Sequence, residues 1–282
     1  MAVRTIAHIS DLHFGREDRN ILPALRAAIT EAAPNVVVVS GDLTQRARTG
    51  EFVAARQFLD TLPKPQIIVP GNHDIPLYNL YYRWRSPLKK YRRYISNDLE
   101  PFVNDSEIAV LGLNTARSLS FKNGRLNGEQ VASSCMRMRE IPQVGMRIVV
   151  THHPFDVATS RESGDIVGRA EMAMAEFTRC KIDVILTGHL HTSRTSNSAQ
   201  QYGAGPYTLF IQAGTATSIR QRGELNSWNL IKISGDQLVV DCMSWIPDRG
   251  NFEVIRTEQF TRTTIGWLSK GLAKATQNAD QQ

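Results

Sequence analysis

Val36-Val37-Val38-Val39-Ser40-Gly41-Asp42 is a run of four β-branched residues that stops at a hydroxyl, a glycine and a carboxylate. Four consecutive valines suit a strand buried on both faces, the kind found in parallel sheets covered by helices. Related runs flank it. Val3 to Ile9, Gln66 to Val69, Ile108 to Leu113, Arg147 to Val150 and Ile182 to Leu186 are short, almost continuously apolar stretches that read as strands. Between them Asn20 to Ala33, Glu51 to Leu62, Gly128 to Glu140 and Gly168 to Lys181 carry helical periodicity, with Asn or Gly near several starts. This alternation predicts an α/β fold. After Pro206 the pattern becomes β-rich, with strands expected over Tyr207 to Ala213, Trp228 to Ile233 and Leu238 to Ser244. One layered domain is expected over residues 1–260. Residues 261–282 read as an amphipathic helix (Thr261 to Thr276, through Ile265, Leu268 and Leu272) and a frayed Gln-rich end.

The 282 residues, 41% of them hydrophobic, supply ample material for a buried core. No apolar run approaches the roughly 20 residues of a membrane helix, and the first ten residues lack the pattern of a secretory signal, so a cytoplasmic protein is expected. Cys135, Cys180 and Cys242 are far apart in sequence and show neither a disulfide framework nor a Cys-x-x-Cys knuckle; buried small hydrophobes are expected. The net charge of +6 is concentrated in Tyr81 to Tyr94, where Arg83, Arg85, Lys89, Lys90, Arg92 and Arg93 occur without one acid; elsewhere 27 basic residues balance 27 acidic ones. An excess so confined points to local contact with an anion: substrate, nucleic acid or a membrane surface. A solvated cap or a contact between copies of the chain explains it equally well.

Five of the strands end in polar groups of one kind: Asp11-Leu12-His13, Gly41-Asp42, Gly71-Asn72-His73-Asp74, His152-His153 and Gly188-His189-Leu190-His191. Six of the seven histidines fall in these junctions. Ligands of open α/β sheets bind at the carboxyl ends of strands, so these groups are placed to converge. A two-residue spacing in extended chain would also put Asp11 with His13, and His189 with His191, on one side. Taken singly, Asp11 or Asp42 is a cap or turn residue, Asn72 a turn residue and His191 a loop histidine. The ordered combination favours a metal centre, and its mixture of imidazole, carboxylate and amide disfavours magnesium alone. His8, inside the first strand, reads as a hydrogen-bonded structural histidine.

These motifs resemble the signature of the calcineurin-like metallophosphoesterase superfamily over residues 11 to 191, and their forms are most similar to bacterial class III cyclic-nucleotide phosphodiesterase-like members. The resemblance implies a four-layer αββα sandwich with two mixed β-sheets. It implies two divalent or mixed-valence transition metal ions (manganese, iron or zinc). Asp11, His13 and His191 would hold one, Asn72, His152 and His189 the other, and Asp42 would bridge. His73 would be the catalytic histidine, with Asp74 fixing its tautomer, and His153 a rim or supporting residue. The implied reaction is phosphodiester hydrolysis by a metal-bridging hydroxide, on a cyclic nucleotide-like substrate, with His73 assisting the leaving oxygen. Arg117, at another strand end, and Arg92 and Arg93 of the basic segment are candidates for gripping phosphate, as are Arg16, Arg220 and Arg222.

Other branches fit less well. Serine/threonine phosphatases show Asn-His-Glu where this chain has Asn72-His73-Asp74, purple acid phosphatases carry a tyrosine at the position of Gln45, and UDP-diacylglucosamine hydrolases usually carry Asn-Arg-Asp. A nuclease stays open because of the basic segment. A noncatalytic scaffold like the retromer subunit is disfavoured because every matching position keeps a plausible ligand or acid.

Overall fold

The computed structural model describes residues 2–77, 80–118, 122–141, 144–158, 164–202, 208–219 and 224–274. The first half of the chain forms β1 (Arg4–Ile9), α1 (Ile21–Glu31), β2 (Val36–Val39), α2 (Thr49–Asp60), β3 (Gln66–Ile68), α3 (Leu80–Arg85), α4 (Lys89–Tyr94), β4 (Phe102–Asn104), β5 (Ile108–Gly112) and α5 (Gly128–Arg139). The second half forms β6 (Met146–Val150), α6 (Ala170–Arg179), β7 (Val184–Thr187), β8 (Arg194–Asn197), α7 (Ala199–Tyr202), β9 (Leu209–Gln212), β10 (Ser227–Ser234), β11 (Gln237–Ile246), β12 (Asn251–Thr263) and β13 (Gly266–Lys274).

Two mixed sheets result, ordered β13-β12-β11-β10-β1-β2-β3 and β4-β5-β6-β7-β9-β8. The four valines of β2 show why they stack. Val36 and Val38 join Ile6 and Ile67 in a layer that meets Val110, Ile148, Val150 and Leu186 of the other sheet. Val37 and Val39 point the opposite way, into Leu25, Ile29, Phe52 and Leu59 of α1 and α2. Strand periodicity of two makes both faces of β2 core, and each fully buried valine contributes about 1.5–3 kcal/mol. Across the second sheet, Leu111, Val149 and Ile185 pack on Val131 and Met138 of α5 and on Ala173 and Phe177 of α6. The order helix, sheet, sheet, helix is the expected αββα sandwich.

Two expectations are corrected. The described part of the expected helix, residues 261–274, is not helical: β12 and β13 form an antiparallel hairpin at the edge of the larger sheet, with Thr263 paired to Gly266. Helical spacing picked out Ile265 and Leu268, which are exposed, whereas the buried residue is Trp267, whose indole N–H donates to the Asp183 carbonyl at 2.9 Å. β-branched Thr261, Thr263 and Thr264 favour the extended form. Residues 275–282, where fraying is expected, lie outside the described residues. Cys135 and Cys180 are joined in a disulfide between α5 and the end of α6, a pairing invisible in sequence because 45 positions separate them. Only Cys242 keeps the expected role of a buried free thiol.

Candidate metal centre

The loops that follow β1, β2, β3, β6 and β7 carry Asp11 and His13, Asp42, Asn72 and His73, His152, and His189 and His191. β1, β2 and β3 run parallel, as do β5, β6, β7 and β9, so the carboxyl ends of two sheets deliver these groups to one place. The backbone is not extended there. Asp11, His13, Asp42, His189 and His191 have φ of 54°, 46°, 51°, 76° and 63°. Each left-handed non-glycine residue costs on the order of 1 kcal/mol, so the paired Asp-x-His and His-x-His side chains converge through strain held by the fold, not through strand alternation. Glycines make the approach feasible. At Gly41, a Cβ would lie 2.6 Å from His152 Nδ1, and at Gly71 a Cβ would overlap the Asp42 carboxylate.

All the histidines and carboxylates expected to bind metal are buried. His13 Nε2 lies 3.4 Å from His191 Nε2, and each is 3.5 Å from Asp11 Oδ1. His152 Nε2 lies 3.1 Å from Asn72 Oδ1, 3.3 Å from His189 Nδ1 and 3.4 Å from Asp42 Oδ1. Asp42 reaches both groups, since its Oδ2 is 3.7 Å from His13 Nε2. Two of the outward nitrogens are occupied. His152 Nδ1–H donates to the Ser40 carbonyl at 2.7 Å, and His191 Nδ1 is 2.6 Å from the Thr215 hydroxyl. Such outer contacts turn the inner nitrogen toward the centre, as they do around metal-ligating imidazoles. Asp11 Oδ1 and His189 Nε2 are buried without a hydrogen-bond partner.

The charge balance is that of a cation site. Burial opposes ionisation of Asp11 and Asp42, yet the surrounding imidazoles hold both carboxyls below the ordinary range. Burial also works against a charge on His152, but Asp42 and Asp11 outweigh it and raise the ring to about 9, whereas burial and the neighbouring His152 lower His189 to about 3. A cation at His152 would compete with that proton. Donor chemistry, convergence and partnerless buried atoms all fit a two-cation centre.

His73 Nδ1 is 2.8 Å from the Gln45 carbonyl, which can only accept, so Nδ1 carries a proton and Nε2 is the other working nitrogen. Its backbone N–H donates to Asp42 Oδ1 at 2.9 Å, and its ring packs edge-on to His13 at 4.9 Å. Asp74 does not touch that ring. Its carboxylate accepts from Leu43 N at 3.2 Å, Thr44 N at 2.9 Å, the Thr44 hydroxyl at 3.0 Å and Gly71 N at 2.9 Å. Asp74 is thus a buried clamp between the loops after β2 and β3, and burial, then the Asp42 charge, raises its carboxyl to about 6. Gln45 fixes the tautomer instead.

His153 is fully buried, not a rim residue. Its Nδ1 takes the Thr115 hydroxyl at 2.7 Å and its Nε2 donates to the Lys122 carbonyl at 2.9 Å, which leaves neither nitrogen for a ligand role. His8 is the expected structural histidine, 2.9 Å from the Ser40 hydroxyl. Among the described residues, none of the candidate arginines has a side-chain hydrogen bond to the centre. Arg117 donates to Gln130 on α5 at 2.9 Å and Arg92 to the Asn97 carbonyl at 2.8 Å, while Arg93 lies 5.4 Å above the Tyr94 ring and Arg16 is exposed. Arg220 and Arg222 lie outside the described residues. Sequence reasoning missed Gln45, Ser40 and Thr215 as supports. Thr215 had a signal, since Gly214-Thr215 follows β9 as the other polar pairs follow their strands.

Among the described residues no helix is long and apolar enough to cross a membrane. A probable cyclic nucleotide phosphodiesterase from Synechococcus sp. is 23% identical over 259 residues, 86% of this chain and 92% of that protein. The glycerophosphodiester phosphodiesterase GpdQ of Enterobacter lignolyticus is 35% identical over 80 residues, which span only 24% of this chain and 29% of that protein. Among solved structures, PhoD superposes with a TM-score of 0.74 at 11% identity, covering 99% of this chain and 73% of PhoD. A dimetal phosphatase from Danio rerio gives 0.62 at 13% identity, over 85% and 95% of the two chains. At these identities the structures speak for the fold alone. The family model for calcineurin-like phosphoesterases matches residues 4–193, which include every expected metal ligand and His73, and the chain belongs to that family.

Proposed function

We propose that the chain is a metal-dependent phosphoric diester hydrolase acting on a cyclic nucleotide-like substrate. The observation that carries the proposal is Asp42, a buried carboxylate reaching His13 on one side and His152 on the other. Asp11, His13 and His191 would hold one cation, Asn72, His152 and His189 a second, with Asp42 shared; the nitrogen-rich donor set suits manganese, iron or zinc. Two such cations supply charge neutralisation at the phosphoryl oxygens and a water acidic enough to attack phosphorus near neutral pH.

The chain's own groups do the rest. With Nδ1–H donating to the Gln45 carbonyl, His73 keeps Nε2 for the leaving oxygen and would pass it a proton as the P–O bond breaks. Asp42 accepts from the His73 backbone N–H, so the carboxylate that would be shared by the cations also places the acid. A diester as substrate and a cyclic nucleotide as its form are supported by the Synechococcus relative, a probable cyclic nucleotide phosphodiesterase that aligns with most of this chain.

The test is a manganese-supplemented panel of 3',5'- and 2',3'-cyclic nucleotides, a glycerophosphodiester, linear oligonucleotides, a UDP-diacylglucosamine analogue and an aryl diester, with products identified. Higher kcat/KM for a cyclic nucleotide than for the other natural esters is expected. Preference for an oligonucleotide or for the UDP-linked lipid would make the chain a nuclease or a pyrophosphohydrolase, and no turnover with metal bound would make it a scaffold.

A further inference from the structure

The basic segment Tyr81 to Tyr94 is not consumed by the metal centre. Of its six cations, Arg83 is buried and donates to the Ser118 carbonyl at 2.8 Å and to the Pro76 carbonyl at 3.2 Å, and Arg92 closes α4 on Asn97. These two are structural. Arg85, Lys89 and Arg93 are exposed, and no acid lies within Tyr81 to Tyr94 to neutralise them. Beside them stand Tyr81 and Trp84, 67% and 70% exposed, one helical step apart on α3. Exposed large aromatics next to an acid-free basic cluster are costly in water and are the pairing that settles at a lipid–water interface, where the rings sit among headgroups and the cations meet anionic lipid.

The segment is anchored rather than loose. Leu88 and Tyr91 are buried, and the Tyr91 hydroxyl donates to the Ile68 carbonyl at 2.9 Å. Between α3 and α4 a cleft of about 310 Å³ is lined by Tyr82, Ser86, Lys89, Lys90, Arg93 and Tyr94, among others. That is room for one phosphate headgroup, and the cations surround a single hollow instead of tracking a groove as a nucleic-acid backbone requires. Lys90 also donates to the Ala47 carbonyl at 2.9 Å, two residues beyond Gln45, so the patch is fastened to the loop that holds His73.

We infer that the α3–α4 segment, through Tyr81, Trp84, Arg85, Lys89 and Arg93, docks the protein on an anionic lipid bilayer, with the cleft receiving a lipid phosphate. Docking turns the adjacent metal centre toward the headgroups. That consequence, and only that one, rests on the diesterase reading above: it makes a membrane-borne phosphodiester a better substrate than its soluble headgroup.

The test is partition of the full chain onto vesicles of phosphatidylcholine alone or mixed with phosphatidylglycerol, at low and high salt. Binding is expected only with the anionic lipid. The double variant Arg85→Gln/Lys89→Gln should weaken it roughly 30-fold, from about one kcal/mol per surface cation, and Tyr81→Ser/Trp84→Ser by at least roughly tenfold. Circular dichroism and hydrolysis of a soluble aryl diester, measured on the same samples, report folding and the diesterase reading separately. Both variants should keep that hydrolysis. Equal partition of parent and folded variants, or no preference for anionic vesicles, would overturn docking whatever the aryl assay gives. Binding to a single-stranded oligonucleotide that outcompetes the vesicles and falls with the aromatic variant would also overturn it, in favour of nucleic acid.

Discussion

Removing the Asp74 side chain separates two roles that adjacency to His73 confuses. The carboxylate accepts four hydrogen bonds, from Leu43 N, Thr44 N, Thr44 Oγ1 and Gly71 N, all at 3.2 Å or less. At about 1.5–2 kcal/mol each for bonds to a charged acceptor, the gross loss on Asp74→Ala is about 6–8 kcal/mol. Part returns, because the variant no longer has to hold a carboxylate whose ionisation burial opposes. A rise from 3.8 to about 6 corresponds to about 3 kcal/mol near neutral pH. The expected net destabilisation is therefore about 3–5 kcal/mol, read by urea unfolding of chelator-treated protein. Turnover at low temperature, where the variant is folded, should fall through misplacement of Asp42 and His73, with weaker metal binding alongside. An unchanged unfolding midpoint, together with a loss of turnover confined to esters with poor leaving groups, would refute the clamp and return Asp74 to the His73 ring.

His73→Ala should keep the metal content of the parent and slow hydrolysis by roughly 10²- to 10⁴-fold, less for an activated aryl leaving group; equal defects for good and poor leaving groups would count against proton donation. Gln45→Ala should leave His73 largely functional, since the bond to the ring comes from the Gln45 backbone carbonyl at 2.8 Å, and a defect as large as that of His73→Ala would show the side chain to be the real partner. Reducing the Cys135–Cys180 bridge, which closes a loop of 45 positions, should cost about 2–4 kcal/mol in the same unfolding assay without changing kcat. No change on reduction would remove the bridge from the stability of the α5–α6 layer.

The core strands and long helices were legible because burial imposes a period, and the valines of β2 declared both of their faces by having no polar residue between them. The centre was legible for a different reason: six histidines sat where strands end. What failed to show is what depends on long-range geometry. Asp74 looked like a partner of His73 because sequence gives adjacency, yet the 3-10 turn over Asn72–Asp74 sends the two side chains to different neighbours. Gln45 supports His73 mainly through its carbonyl, and a backbone atom leaves no trace in residue identity. The β12–β13 hairpin reads as a helix in sequence because Ile265, Leu268 and Leu272 have helical spacing, whereas the large side chain that is buried among residues 264–270 is Trp267. Arg117 stood at a strand end but its guanidinium follows α5, a direction set by Gln130.

Metal analysis of the parent and of Asp42→Ala tests the shared carboxylate most directly. After manganese loading and gel filtration the folded parent should retain two transition metal ions per chain, and Asp42→Ala should lose at least one of them together with nearly all turnover, because the remaining donors cannot neutralise two adjacent cations. A folded Asp42→Ala protein with undiminished metal content and near-parental activity would contradict the two-cation centre.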